Sequence, residues 1–161
     1  MSYSYAIVMD NQTVSAAAIL IGIRPGTATG FRVLRAWAAQ RGSATSAQVG
    51  IQLGRKTSAF PTTLTGATPV KMDEKDAASA FTGGTSLAAG TCGTLATAEG
   101  AGAFTPVISD NFNNLTGWVW VPGHDEEMVF RAGSADACVL RFPATPSPTG
   151  NWSAGLIIQE I

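Results

Sequence analysis

The sequence predicts an all-β fold, a two-sheet jelly-roll-like sandwich of about eight to ten strands. Three observations carry that expectation. Nearly every apolar segment is short, rich in Ile, Val, Phe or Trp, and bounded by Gly, Pro, Asn or Asp. Several segments alternate with period 2, as a half-buried strand must. Helical patterning is almost absent, and the one candidate, Asp73 to Phe81, has acids in its first turn followed by alanines, enough for a turn or two.

In chain order the expected strands are Tyr3 to Met9, Ala17 to Ile23, Phe31 to Gln40, Ala47 to Arg55, Val70 to Met72, Cys92 to Glu99, Gly117 to Val121, Met128 to Arg131, Ala137 to Phe142 and Ala154 to Ile161. In the second, Ile19, Ile21 and Ile23 share the face expected to point inward; so do Val49, Ile51 and Leu53 in the fourth, and Cys138, Leu140 and Phe142 in the ninth. The last segment, Gly155-Leu-Ile-Ile-Gln-Glu-Ile161, is apolar on both faces at its start, which suits a central strand covered on two sides. The connections 57–69 and 82–91 are too long for the tight hairpins of an up-and-down barrel and favour a sandwich. An immunoglobulin-type sandwich is the competing architecture, but 161 residues are long for it.

The 161 residues make one domain, 1–161, without a linker or an internal repeat. Ala 26, Gly 18, Thr 18 and Ser 12 make up 74 residues, and only 13% are charged, so the surface is poor in charge and suited to company. The net charge of -1 offers no general attraction to nucleic acid or to an anionic membrane. Along the chain the charges separate: seven cations and no acid between residues 11 and 72, then ten acids against three cations from 73 on. Either strands of the two halves interleave and neutralise each other, or subunits meet basic flank to acidic flank. Met1 to Asp10 lacks the basic start of an export signal and no apolar run is long enough to span a membrane, so the expectation is a soluble protein made in the cytoplasm. Cys92 and Cys138, without CxxC spacing, are expected as two reduced core thiols.

Enzyme chemistry finds little to stand on. A cupin-type metal site needs two or three His with a carboxylate, and His124 is the only His. It sits in Pro-Gly-His-Asp-Glu-Glu, a polar turn, where a solvated loop is the simplest reading and a weak ion site with Asp125, Glu126 or Glu127 the other. No Gly-x-Ser-x-Gly occurs, and no pair of acids is singled out by spacing. The glycines from Gly22 to Gly30 lack a following helix and a Gly-Lys-Ser/Thr, so they are turn chemistry and cradle no phosphate. No enzyme, metal or cofactor is therefore expected. Trp118 and Trp120 share one face of a strand with Val119 and Val121 on the other; either both Trp are buried between the sheets or, if the valines are inside, the tryptophans form an exposed sugar-stacking platform or a subunit anchor.

The segments Phe31-Arg-Val-Leu-Arg-Ala-Trp37, Ala47-Gln-Val-Gly-Ile-Gln-Leu-Gly-Arg-Lys56, Gly117-Trp-Val-Trp-Val-Pro122 with Asp125-Glu-Glu-Met128, and Leu140-Arg-Phe-Pro143 with the C-terminal strand resemble small all-β virion proteins of tailed bacteriophages. The resemblance spans nearly the whole chain and rests on strand texture. It implies a jelly-roll auxiliary capsid protein, a decoration or cement protein, usually a homotrimer on the virion's outer surface where copies of the major capsid protein meet. With it go synthesis in the host cytoplasm, a capsid-surface location, and partners limited to the major capsid protein and the chain itself, with no nucleic acid and no membrane. Trp118, Trp120, Arg32, Arg35, Arg55, Glu126 and Glu127 are the candidate contact residues. A carbohydrate-binding or host-attachment module of the virion, with the same fold, is the alternative.

Overall fold

The computed structural model describes residues 3–161; Met1 and Ser2, the start of the segment read for an export signal, lie outside the described residues. The described chain forms thirteen strands: β1 (Ser4–Val14), β2 (Ala18–Ile23), β3 (Phe31–Arg41), β4 (Gln48–Lys56), β5 (Thr65–Gly66), β6 (Val70–Lys71), β7 (Thr82–Gly83), β8 (Thr91–Ala96), β9 (Phe104–Asn113), β10 (Trp118–Trp120), β11 (Met128–Phe130), β12 (Ala137–Phe142) and β13 (Gly150–Glu160). They build two sheets. The first runs β10-β3-β13-β1-β6, with β11 also on β3; the second runs β5-β8-β2-β12-β4-β9, with β7 on β8.

Chain order within these sheets defines the jelly roll. Strands β1 to β4 alternate between the sheets, β9 stays beside β4, β10 and β11 return beside β3, and the last two strands fill the remaining gaps, β12 between β2 and β4 and β13 between β1 and β3. Every main-strand pairing is antiparallel. Strands of the basic and acidic halves therefore interleave in both sheets, as one of the two charge readings required. Arg32 to Glu127, at 3.1 Å, is an ion pair that joins the halves.

Between the sheets lies an apolar core in which Trp152 stands edge-on to Phe112 and Phe142, and Phe31 stacks on Phe130. The inward faces read from β4 and β12 are in it; that of β2 is only partly so. Ile21 and Ile23 face the core but Ile19 does not, because β2 bulges where it pairs with β12 and the bulge turns Ile19 to the outer side. There Ile19 joins Leu64, Leu87, Ala96, Ala137 and Val139 under Phe60 and Phe104. The long connections 57–69 and 82–91 thus cover the back of the second sheet.

Three further expectations fail. Thirteen strands form where about eight to ten were expected, because two-residue pairings such as β5 and β7 add to the main strands. Asp73 to Phe81 makes no helix: a turn closes between the Asp76 N–H and the Asp73 carbonyl, while the Asp73 carboxylate takes the Lys75 N–H. A short polar side chain accepting from nearby backbone offers the chain a turn in place of a helix. Strand β9 was not expected at all, since Phe-Thr-Pro-Val-Ile-Ser-Asp-Asn-Phe-Asn has little alternation and contains Pro106. It is an edge strand on β4 alone, where a proline is tolerated and one face has nothing to bury.

Candidate functional site: the uncovered face of the first sheet

The C-terminal strand is central, between β1 and β3, but only its inward face is covered by this chain. Leu156 and Ile158 are fully buried, whereas Ile157 points outward and stays partly exposed. Its neighbours continue an apolar surface across the sheet. Val119, Trp37, Gly155 and Val8 stand opposite one another in register over four strands, and Arg35, Ile157, Ala6 and Val70 form the next row. Val119, Val8 and Val70 are 65%, 45% and 61% exposed. Loops cover the back of the second sheet; among the described residues this face has no such cover.

Trp37 is the centre of the band. Its indole lies across Gly155, in the space a side chain there would fill: a Cβ on Gly155 would stand inside the ring. An aromatic ring thus shelters a glycine in the middle of a strand. Between Trp37, Val119 and the Thr116-Gly117 turn the surface dips into an open depression of about 370 Å³, with Arg35 and Ile157 at its rim. Arg35 is exposed and, among the described residues, has no hydrogen-bond or ion-pair partner.

The candidate contact residues fare unequally. Trp118 is 6% exposed and turns inward, its Nε1 donating to Asp110 Oδ2 at 3.1 Å, so it offers no surface. Trp120 is half-buried against the core, and it is Val119 and Val121 that face out. Arg32 is held by Glu127. Arg55 donates to the Val129 carbonyl at 3.0 Å and lies over the Phe130 ring, tying the two sheets together at one end. Glu126 closes its own turn by accepting from the Gly123 N–H. Arg32 and Glu127 are the only two of the seven that meet; Arg35 lies in the apolar band, and Arg32 shares its outer face further along β3, between core residues Phe31 and Val33. Trp37, Val8, Val119 and Ile157 were missed; the signal available was the two-sided apolarity of the last strand.

Other polar groups lie away from this face. His124 and Asp125 form a pair more than 90% exposed in their turn. Lys56 is buried with its ammonium on the carbonyls of Gly102 (2.6 Å) and Gly100 (3.4 Å), and desolvation lowers its pKa. Arg141 lies over Phe104 and binds Glu99 and Gln52. Cys92 and Cys138 are free and buried, and burial pushes each thiol up to about 12. Both are opposite Ile23, one on each side of β2, hence about 10 Å apart and beyond disulfide reach. Among the described residues no group of three or more His, Cys, Asp or Glu is placed to hold a metal ion, and no helix is long and apolar enough to cross a membrane. Comparison with known proteins finds no matching family model, no similar curated protein and no similar solved structure.

Proposed function

We propose that this chain is a virion structural protein, a decoration or cement protein that binds the outer surface of a phage capsid and stabilises it, with copies of the chain associating, as a trimer in the arrangement its resemblance implies. The observation that carries the reading is the apolar band over β10, β3, β13, β1 and β6, which the chain leaves without a cover. Such a face is costly in water and becomes useful when another surface takes it. Trp and Arg, the side chains at its centre and rim, are those that dominate binding energy in interfaces. The mechanism is buried area. A protein that binds the assembled lattice and not its separated subunits raises lattice stability by mass action.

The test is removal and return. Particles stripped of the protein should release their genome at lower temperature, and adding the purified protein back should restore resistance. Unchanged particle stability with intact adsorption to the host would sink the reading. Unchanged stability with lost adsorption would favour a carbohydrate-binding or host-attachment module, for which the open indole of Trp37 beside the Arg35 guanidinium supplies a platform.

A further inference from the structure

We propose that the outer face of the first sheet is a self-complementary interface between two copies of this chain, with Trp37 near its centre and Arg35 of each copy meeting Asp10 of the other. The proposal rests on the reading of this face as a contact surface, and not on the particle that carries it.

Three features of the face point to a second copy. The first is its charge pattern. Asp10 lies at the far side of the apolar band, two residues beyond Val8 on β1. Its Oδ1 accepts from Arg41 at 3.2 Å and from Ser153 Oγ at 3.0 Å, and its Oδ2 takes neither bond. Arg35, a cation without a partner among the described residues, lies diagonally opposite. Gly155 is midway: Arg35 is one strand away and one row up, beside Ile157, and Asp10 is one strand away on the other side and one row down. A two-fold axis lying in the face and passing over Gly155 exchanges these two positions, so each copy's cation faces the other's anion.

The second feature is what sits at the axis. The Trp37 indole lies on Gly155, so the same operation brings two indoles together there, aromatic on aromatic, with the valines of both bands around them. An apolar centre ringed by charged and polar groups is the anatomy of an interface.

The third is size and packing angle. With strands about 4.8 Å apart and outward residues about 6.8 Å apart, the axis that pairs Arg35 with Asp10 crosses the two sets of strands at roughly 70°, in the orthogonal class of sheet packing. Five strands make the face about 24 Å wide, so two crossed faces overlap over roughly 600 Å² each, about 1,200 Å² in all. That total is at the lower limit for a specific interface, and the dimer should dissociate on dilution.

The experiment measures mass against concentration by sedimentation, with the purified full chain. The wild type should show reversible doubling at up to about 100 µM, the range suited to an interface of this size. If another surface makes a trimer, the doubling is from trimer to hexamer. Arg35→Glu and Asp10→Arg, both surface changes, should each raise the dissociation constant at least tenfold, since each homodimer then sets like charges opposite one another twice. Mixing the two variants should restore association, because the mixed dimer has Arg35 against Asp10 at one contact and the reversed pair at the other. Trp37→Ala should abolish doubling while circular dichroism stays that of the wild type. A wild type that never doubles, or variants that double equally well, would overturn the proposal. A protein that never doubles but loses capsid binding on Trp37→Ala would overturn self-association alone and leave the capsid reading standing.

Discussion

Gly155→Ala is the sharpest probe of the uncovered face, because the added methyl has nowhere to go except into the Trp37 ring. The indole must lift off the sheet. A Trp buries about 150–250 Å² when fully packed, and Trp37 has one face on the sheet, so lifting it exposes roughly 100 Å², or about 2.5 kcal/mol. Alanine in a strand interior returns about 0.5–1 kcal/mol over glycine. The net cost is about 1.5–2 kcal/mol out of a total stability of about 5–15, so the protein stays folded with Tm lower by roughly 3–8 °C. Urea melts followed by circular dichroism read the stability, and acrylamide quenching reads the indole. The decisive comparison is a double-mutant cycle: with Trp37→Ala already present, Gly155→Ala should become neutral or stabilising, since the collision is gone. Additive effects of the two changes, or a stability gain from Gly155→Ala alone with quenching unchanged, would refute the packing of Trp37 on Gly155.

Alkaline pH should weaken the fold. Cys92 and Cys138 keep their protons in the folded protein up to about 12, while in the unfolded chain they release them near 9.0, so their contribution is whole below pH 9 and is lost as pH rises toward 12. Each thiol should account for about 1.4 kcal/mol of lost stability at pH 10; Tyr5, raised by burial and then by Glu160, adds to the loss at higher pH, and Lys56, lowered by burial, opposes it. Urea midpoints at pH 8 and pH 10 check this, and the variant with both cysteines changed to alanine should show a flatter profile. Lys56→Met leaves the Gly102 carbonyl without its donor and should cost about 1–3 kcal/mol, measured by the same melts, with faster amide exchange over residues 97–103. Deleting Leu156 to Ile161 removes the outer half of a central strand, including buried Leu156 and Ile158 at about 1.5–3 kcal/mol each, and should leave no soluble folded protein; a cooperative melt from the truncated chain would contradict the position of β13.

Where the sequence was readable, the reason is periodicity. Val49-Gly-Ile-Gln-Leu53 and Cys138-Val-Leu-Arg-Phe142 face one core on one side, so alternation reports their orientation directly. The same rule misleads at β2, where six consecutive residues are buried and a bulge reverses the facing of Ile19 without any change in the apolar run. It fails at β9 for the opposite reason. An edge strand with a polar outward face has no apolar side to reveal it, and its pairing to β4 over the whole length from Gln48 to Lys56 is a backbone property.

The site was hidden by a related ambiguity. In Phe31-Arg-Val-Leu-Arg-Ala-Trp37 the strand takes up an extra residue where Ile157 and Ile158 face Arg35 and Val33, so counting by twos from Phe31 would turn Trp37 toward the core. Only the shift of one residue brings Arg35 and Trp37 to the outside together. The tryptophans at 118 and 120, in an unbroken strand, could be assigned to a common face but not to a side, since valines and tryptophans serve a core equally well. What decides the side is Ala38 and Ala36, their partners on β3: both are buried, and small residues there leave room between the sheets for the larger rings. The outward positions then fall to Val119 and Trp37, and an apolar surface forms that no pairing within the chain can bury. The last strand announced this surface: a segment apolar on both sides requires two covers, and the fold supplies one.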